Sequence, residues 1–472
     1  MPGIIGGMRR LPPPLRPHRH DREILRLALP AFAALVAEPL FLLADSAIVG
    51  RLGTAQLGGL GVAATVLGTV VNLCVFLAYG TTAAVARQLG AGDARGALRQ
   101  GIDGLWLAAA LGVALLAIGW PLAPLLVDAL GASPAVHGHA LTYLRVSLFG
   151  LPGMLLVLAG TGVLRGLQDT RTPLVVAVVA SVANVALNAW LVLGLRWGIA
   201  GSALGTAVVQ WGSALAYLRV VLRGARRHGA RLRPDRAGLR AAAAANAALV
   251  LRTLTLRVVL VAAAAVATRL GDAEIAAHQV VFNVWTMLAL ALDAIAIAGQ
   301  AITGRSLGAG DVEGTRAATR RMVEWGVAAG VVLGLCVLLA APVLPGLFTA
   351  DPAVRELIGA TLVVVAALQP VGGPVFVLDG VLIGAGDARF LARAGVITML
   401  AFLPAAGAVL ALDGGLVALW LAFGVFMIAR LVVLTWRARG DGWLVTGAAL
   451  PRTRRPRRRP RGGLAGDTMR QS

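Results

Sequence analysis

The 472-residue sequence contains no lysine and few acidic, aromatic or cysteine residues. Only 14% of its residues are charged and 58% are hydrophobic, whereas about 25% of the residues in a typical soluble protein are charged. So few charged residues cannot form the water-exposed surface of a soluble protein of this length, and we expect the chain to lie in a lipid bilayer. The two cysteines, Cys74 and Cys336, fit neither a disulfide framework nor a metal-ligand spacing.

Signatures of enzymes and channels are missing as well. The sequence has no His-Glu-x-x-His motif, no Gly-x-Ser-x-Gly elbow, no metal-ligand cluster and no filter-like repeat. We therefore expect a protein that is not an enzyme, with no catalytic residues and no metal site. The net charge of +21 could suggest a nucleic-acid partner. All 43 basic residues are arginines in short clusters between long apolar runs, which argues against nucleic-acid binding.

Twelve stretches are long and apolar enough to cross about 30 Å of hydrocarbon as helices. With the N-terminus in the cytoplasm, the inner segments hold 35 of the 43 arginines and the outer loops hold four. The positive-inside rule then predicts a multi-pass protein of the plasma membrane (the inner membrane of a bacterial cell) with both termini cytoplasmic. The predicted spans are 24–49, 57–83, 101–126, 140–164, 173–195, 198–222, 242–268, 275–303, 322–345, 357–383, 390–412 and 415–436.

The chain also repeats with a constant offset of 218 residues. Arg51-Leu52-Gly53 corresponds to Arg269-Leu270-Gly271, and Gly90-Ala91-Gly92-Asp93 corresponds to Gly308-Ala309-Gly310-Asp311. Six spans separate equivalent positions, so the two copies have the same orientation and form a parallel repeat. The sequence therefore predicts an all-α polytopic membrane protein with twelve transmembrane helices in two pseudo-symmetric six-helix lobes.

This organisation divides the chain into five segments. The longest arginine-rich loop inside the membrane region lies between spans six and seven, where the two copies would join. The arginines of the C-terminal segment suit contact with anionic membrane lipids. The predicted segments are a cytoplasmic N-terminal tail (1–23), an N-lobe with spans one to six (24–223), a cytoplasmic linker (224–241), a C-lobe with spans seven to twelve (242–436) and a basic cytoplasmic C-terminal tail (437–472).

Ionisable side chains at membrane depth are costly and mark candidate functional sites. Span one carries Glu38 and Asp45, seven residues apart, which places them about 10 Å apart on one helix face. Pro30 and Pro39 in the same span can bend the helix. An acid beside a bend could act as a proton switch, because protonation changes the cost of exposing it. The alternative for both acids is a structural position near the helix end at the outer interface.

Two further groups of polar residues lie within predicted spans. Asn184 and Asn188 of span five share a helix face and could join Asp45 or form only packing hydrogen bonds. In the C-lobe, Asp379 of span ten could pair with Arg257 or Arg252 of span seven, or it could help to bind a cation. Asp293 and the lone His278 of span eight are interpreted as structural. Under the 218-residue offset, Asp45 falls on Ala263, so the first group occurs only once.

Four segments resemble the multidrug and toxic compound extrusion (MATE) family, within its bacterial branch related to DNA-damage-inducible protein F. They are Ala44–Gly50, Leu164–Thr170, Ala276–Val280 and Leu378–Asp387. The resemblance implies two lobes in a V and cation-coupled antiport of organic, cationic or amphipathic, small molecules. It implies H⁺ as the coupling ion, with Na⁺ as the alternative, and no other cofactor. We expect the transporter to be a monomer.

The resemblance also bears on the candidate site. In the family, span five presents an asparagine and, four residues later, often an aspartate that acts with the span-one aspartate in coupling. Here the second position is Asn188, which disfavours a tight sodium site and leaves Asp45 as the main proton carrier. The alternative function is a flippase for lipid-linked precursors from a related two-lobe superfamily. That function needs a cationic cleft, for which Arg252 and Arg257 are candidates.

Overall fold

The computed structural model describes residues 20–448, which form helices and turns without any strand in that range. The helices are α1 (Asp21–Gly50), α2 (Thr54–Cys74), α3 (Phe76–Gly90), α4 (Ala94–Ala129), α5 (Pro134–Leu148), α6 (Leu151–Gly166), α7 (Arg171–Ala189), which continues into a π-helical turn (Trp190–Gly194), α8 (Gly198–Arg227), α9 (Arg236–Leu270), α10 (Asp272–Gly308), α11 (Val312–Ala340), α12 (Leu344–Phe348), α13 (Pro352–Gly384), α14 (Ala388–Ala411) and α15 (Gly415–Arg439).

The helices confirm the predicted membrane architecture. Within the described range, eleven helices are long and apolar enough to cross a membrane, with α2 and α3 counted as one (Thr54–Gly90). The pair α5 and α6, which is bent by 50°, supplies the twelfth. Pro152 lies in the first turn of α6, where its missing N–H costs no helical hydrogen bond and favours a new helix start. The chain is therefore a multi-pass all-α membrane protein.

Segment boundaries differ slightly from the predicted ones. Helix α1 begins at Asp21, so it includes the last residues of the predicted N-terminal tail. The linker is shorter than 224–241, because α8 continues to Arg227 and α9 begins at Arg236. Hydropathy marks only the apolar part of a helix, so it leaves the arginine-rich helix ends out of the predicted spans. Most of both predicted tails, 1–19 and 449–472, lies outside the described residues.

The sequence repeat is also a repeat of backbone conformation. Gly92 and Gly310, which are 218 positions apart, have φ of 79° and 78°, a left-handed conformation that glycine adopts without steric cost. The next residues cap the following helices: Asp93 Oδ1 accepts a hydrogen bond from the Gly96 N–H, and Asp311 Oδ1 accepts one from the Gly314 N–H, both at 2.7 Å. The same turn chemistry thus ends the second span of each lobe.

The offset changes by one residue after the π-helical turn. Arg196 and Asp413 have φ of 58° and 51°, and Gly198 and Gly415 have φ of 59° and 70°. These matching pairs are 217 positions apart. A π turn accommodates one extra residue in a helix, often near a functional site. The N-lobe therefore contains one inserted residue, two positions after Asn188.

The two lobes meet at the face that carries most of the arginines, which we call the Arg-rich face (turns 91–93, 167–170, 309–311 and 385–387). A Cβ atom on Gly90 would overlap with the Arg305 carbonyl, and one on Gly308 would overlap with the Arg87 carbonyl. The Arg87 side chain is fully buried and donates hydrogen bonds to the Ala385 carbonyl at 2.7 Å and to the Gly447 carbonyl at 3.1 Å. Backbone contact between the lobes is therefore direct here.

Ion pairs strengthen this junction. Asp21, at the start of α1, accepts hydrogen bonds from Arg321 at 2.6 Å and from the Trp325 indole at 2.9 Å. Glu23 pairs with Arg305. Further hydrogen bonds join the lobes at the same face, such as the one that Gln168 Nε2 donates to the Ala301 carbonyl at 2.9 Å. The molecule is thus closed at this face.

Candidate functional site

The side chain of Asp45 lies at the centre of a polar network in the N-lobe. It is only 3% exposed. Its Oδ1 accepts hydrogen bonds from Asn188 Nδ2 at 2.6 Å and from the Ser202 hydroxyl at 2.7 Å. Its Oδ2 accepts one from the Tyr143 hydroxyl at 3.2 Å. Four helices, α1, α5, α7 and α8, therefore converge on one buried carboxyl group.

The network continues through the two asparagines of α7. Asn188 Nδ2 also donates to Asn184 Oδ1 at 2.8 Å, and Asn184 Nδ2 contacts the Thr206 hydroxyl oxygen at 3.1 Å. The structure thus brings together three of the four predicted N-lobe residues. Sequence reasoning missed Tyr143, Ser202 and Thr206. The spacing of four residues between Ser202 and Thr206 on span six repeats that of the asparagine pair and could have indicated these two.

The hydrogen bonds at Asp45 suit an ionised carboxylate. A carboxylate can only accept hydrogen bonds, and all three neighbours donate. Asn188 Oδ1 is buried and has no hydrogen-bond partner among the described residues. A protonated Asp45 would carry one donor, and rotation of the Asn188 amide could present this oxygen to it. The site can therefore satisfy the acid in both charge states.

Asn188 is packed so tightly that a small substitution beside it should be destabilising. A Cβ atom on Gly205 would overlap with Asn188 Oδ1. We expect Gly205→Ala to lower stability by about 1–3 kcal/mol, the usual cost of overpacking, as measured by thermal unfolding in detergent. Gly212→Ala on the same helix is the control, because no atom lies within 4 Å of its Cβ position. Equal melting temperatures for the two variants would contradict this packing.

Glu38, the other predicted N-lobe acid, lies in the continuous helix α1 between Pro30 and Asp45. Its side chain lies outside the described part of the chain, so its part in coupling stays a prediction. Helix α1 also contains Pro39. Each proline leaves one backbone carbonyl of the helix without its usual partner, which lowers the cost of bending at that point.

In the C-lobe, Asp379 is held by two arginines from different helices. Arg252 of α9 pairs with it, with Nε lying 3.3 Å from Oδ1, and Arg430 of α15 lies 3.2 Å from Oδ2. The pairing with span seven thus uses Arg252, whereas Arg257 makes no ion pair with any described residue. Asp293 lies within electrostatic reach of Arg165 and Arg252.

His278 belongs to an aromatic cluster. Its ring lies 6.0 Å from the Phe282 ring in a stacked arrangement and 5.8 Å from the Trp420 ring. Trp285 and Phe423 extend the cluster, with ring centres 5.0 Å apart. The cluster draws on two helices, α10 and α15, which sequence spacing alone could not bring together. Within residues 20–448 no group of three or more His, Cys, Asp or Glu side chains could hold a metal ion.

Comparison with known proteins gives a family match over both lobes. The MatE family model matches residues 30–190 and 248–406, two stretches that begin 218 positions apart. Protein DETOXIFICATION 44, chloroplastic, from Arabidopsis thaliana is 31% identical over 430 residues, covering 88% of this chain and 81% of that protein. DNA damage-inducible protein F from Escherichia coli (strain K12) is 31% identical over 376 residues, covering 77% of this chain and 81% of that protein.

Solved structures show the same fold. A MATE crystal structure in the bent conformation superposes with a TM-score of 0.82 at 22% sequence identity, covering 89% of this chain and 95% of that one. The Vibrio cholerae MATE transporter VcmN in the bent form gives a TM-score of 0.80 at 20% identity, covering 88% and 94%. The two six-helix lobes are therefore a shared architecture.

Proposed function

The chain belongs to the MATE family of multidrug efflux transporters, and from this premise we propose that it is a proton-coupled antiporter that exports organic compounds by alternating access. The observation that carries the proposal is the buried carboxyl of Asp45, which accepts hydrogen bonds from three helices of the N-lobe. An ionisable group at membrane depth that other helices surround is a candidate carrier of the coupling ion.

Protonation of Asp45 would change how firmly α1 is held. An ionised carboxylate in an apolar surrounding is costly unless donors compensate for its lost hydration, and Tyr143, Asn188 and Ser202 supply these donors. A proton removes the charge and with it the need for all three. Helix α1, with two internal prolines, could then bend away from α7 and α8. Substrate binding and protonation would oppose each other, as antiport requires.

The residues of the site favour a proton over sodium. Position 188 is asparagine, so the N-lobe site contains one carboxylate among its described side chains. Asp379 of the C-lobe already pairs with Arg252 and Arg430, which leaves little negative charge for a cation. Hard cations are usually bound by several oxygen ligands, often with more than one carboxylate.

The arrangement in the membrane follows from the arginines. We infer that the Arg-rich face lies in the cytoplasm, with both termini on that side, and that the protein works as a monomer in the plasma membrane. The closed Arg-rich face then corresponds to a state whose cleft opens outwards.

The family leads us to expect cationic or amphipathic cargo. A lipid-linked precursor flippase is not favoured, because the family match is to efflux transporters.

Reconstituted transport separates the two candidate ions. We expect purified protein in liposomes to move fluorescent organic dyes against their gradient when a proton gradient is imposed, and not when a sodium gradient of equal size is imposed. A set of dyes that includes anions, cations and neutral compounds avoids a prior choice of cargo. Dye movement driven by sodium alone would contradict proton coupling, and movement without any gradient would contradict antiport.

A further inference from the structure

A cluster of charged side chains lies inside the helix bundle where the two lobes meet. We call it the junction cluster, and it consists of Tyr79 and Arg165 of the N-lobe with Arg252, Asp293, Asp379 and Arg430 of the C-lobe. The Arg252 guanidinium lies 5.9 Å from the centre of the Tyr79 ring, across the boundary between the lobes. Residues of both lobes therefore form one electrostatic unit.

The cluster contains one more positive charge than negative charges. Arg252 and Arg430 share Asp379. Arg165 is only 8% exposed, and it makes no hydrogen bond or ion pair within 4 Å of its nitrogen atoms with any residue of the described range. Asp293 is within electrostatic reach of both Arg165 and Arg252. Three arginines thus face two aspartates, and an unmatched buried charge is unfavourable.

The cluster lies at the closed end of the cleft. A Cβ atom on Gly80, next to Tyr79, would overlap with the Asn246 side chain of the other lobe. On the same span, about three and five turns further than Gly80 from the Arg-rich face, Gly68 and Gly61 have no atom within 4 Å of their Cβ positions. The lobes therefore touch immediately beside the cluster. A compound that enters between the lobes from the side away from the Arg-rich face would meet the cluster at this contact.

We propose that the junction cluster binds the anionic group of the exported compound, with Arg165 as its principal partner and the Tyr79 ring against its organic body. The proposal rests on the proposed export function and names the cargo as an organic anion, in contrast to the cationic cargo that the family resemblance implies. The planar guanidinium of arginine binds carboxylate, sulfonate or phosphate with two parallel hydrogen bonds. The negative charge of such a ligand would neutralise the excess positive charge of the junction cluster.

A matched pair of probes tests the charge preference directly. We suggest tritiated 2-naphthoate and 2-naphthylmethylammonium, which share one aromatic body, in equilibrium binding to the full-length protein in detergent. We expect naphthoate to bind more tightly than the ammonium compound. Arg165→Gln should weaken naphthoate binding by roughly 30-fold or more, the usual effect of removing one partner of a buried charge pair, and Arg165→Lys should restore part of it. Asp293→Asn should strengthen binding, because it removes the competing acid.

Weaker naphthoate binding by Arg165→Gln together with stronger binding by Asp293→Asn would show that both residues act on the bound anion, since loss of folding would weaken binding in both variants. Arg145→Gln is the control, because Arg145 lies at membrane depth beside the Trp120 ring, outside the cluster. Tighter binding of the ammonium probe, or equal naphthoate affinity in Arg165→Gln and wild type, would overturn the proposal. Displacement of naphthoate by phosphatidylglycerol but by no soluble anion would also overturn it, because it would assign the cluster to lipid headgroups.

These measurements need no ion gradient, so their outcome is independent of the coupling mechanism. Asp45→Asn should still bind naphthoate, though more weakly than the wild type because asparagine imitates the protonated acid, and it should fail in proton-driven transport. A protein that transports but does not prefer the anionic probe would refute only the cargo assignment. A protein that binds the probe but does not couple to protons would refute only the proposed function.

Discussion

Asp45→Asn is expected to abolish proton-driven export in liposomes and to leave the protein folded. Asparagine has almost the same shape: its amide oxygen can accept the hydrogen bonds from Asn188 and Ser202, and its NH2 group can donate to the Tyr143 hydroxyl oxygen, so the stability change should be about 1 kcal/mol. It cannot exchange a proton. A proton that crosses one pH unit supplies about 1.4 kcal/mol, enough for a tenfold cargo gradient, and the variant should sustain none. Dye accumulation under an imposed pH gradient measures the effect.

Asp128→Asn is the matched control for this substitution. Asp128 is an acid of the same lobe with a 63% exposed side chain, and its partner is His137 at 3.1 Å. We expect it to transport like the wild type. Thermal unfolding of both variants in detergent shows whether any loss reflects misfolding. Wild-type accumulation by Asp45→Asn would exclude Asp45 as the coupling residue.

Gly90→Ala should open the Arg-rich face. The new methyl group would overlap with the Arg305 backbone carbonyl of the other lobe, and backbone cannot move aside as a flexible side chain can. Overpacking costs about 1–3 kcal/mol, which shifts a two-state equilibrium roughly 5- to 150-fold. Electron-spin distance measurements between labels on the two lobes at this face should show a larger population of separated pairs.

Gly68→Ala on the same span is the control for that experiment, since its Cβ position faces open space. The distance distribution of this variant should match the wild type. An unchanged distribution in Gly90→Ala would show that the contact at Gly90 does not hold the lobes together. The result therefore tests whether the closed state depends on close approach of backbone at the Arg-rich face.

Much of the fold could be predicted from the sequence because the membrane imposes simple rules. Long apolar runs predict spans, arginine distribution predicts orientation, and the repeated Gly-Ala-Gly-Asp turns at 90–93 and 308–311 predict two equivalent lobes. The inserted residue at the π turn 190–194 was not predictable. Hydropathy does not distinguish a π turn from an α turn, because it averages over many residues and is insensitive to a shift of one residue.

The candidate site was predictable in part, for a physical reason. Placing a carboxyl or amide at membrane depth costs much free energy, so residues such as Asp45 and Asn188 can be identified as candidates from the sequence. Burying a hydroxyl such as that of Ser202 costs less free energy, because it can donate a hydrogen bond to a carbonyl of its own helix. The sequence alone therefore does not mark it as a candidate. The choice of Arg252 over Arg257 as the partner of Asp379 also needed the structure. These two residues point about 140° apart on α9, and sequence does not say which direction faces span ten.

The structure also explains how the two lobes differ. Ala263 is the counterpart of Asp45 at an offset of 218, and Leu419 and Phe423 are the counterparts of Ser202 and Thr206 at an offset of 217. All three line one small, mainly apolar cavity in the C-lobe. The lobes therefore share a backbone plan, while only the N-lobe version of this position is built from hydrogen-bonding side chains.

Proton release on cargo binding tests most directly whether the N-lobe site carries the coupling ion. Purified protein in weakly buffered detergent solution, with a pH-sensitive dye, reports protons released when a transported compound is added. The account predicts release by the wild type and by Asp128→Asn, and none by Asp45→Asn, although Asp45→Asn still binds the compound. Equal proton release by Asp45→Asn and the wild type would contradict it, because the released proton would then come from another residue.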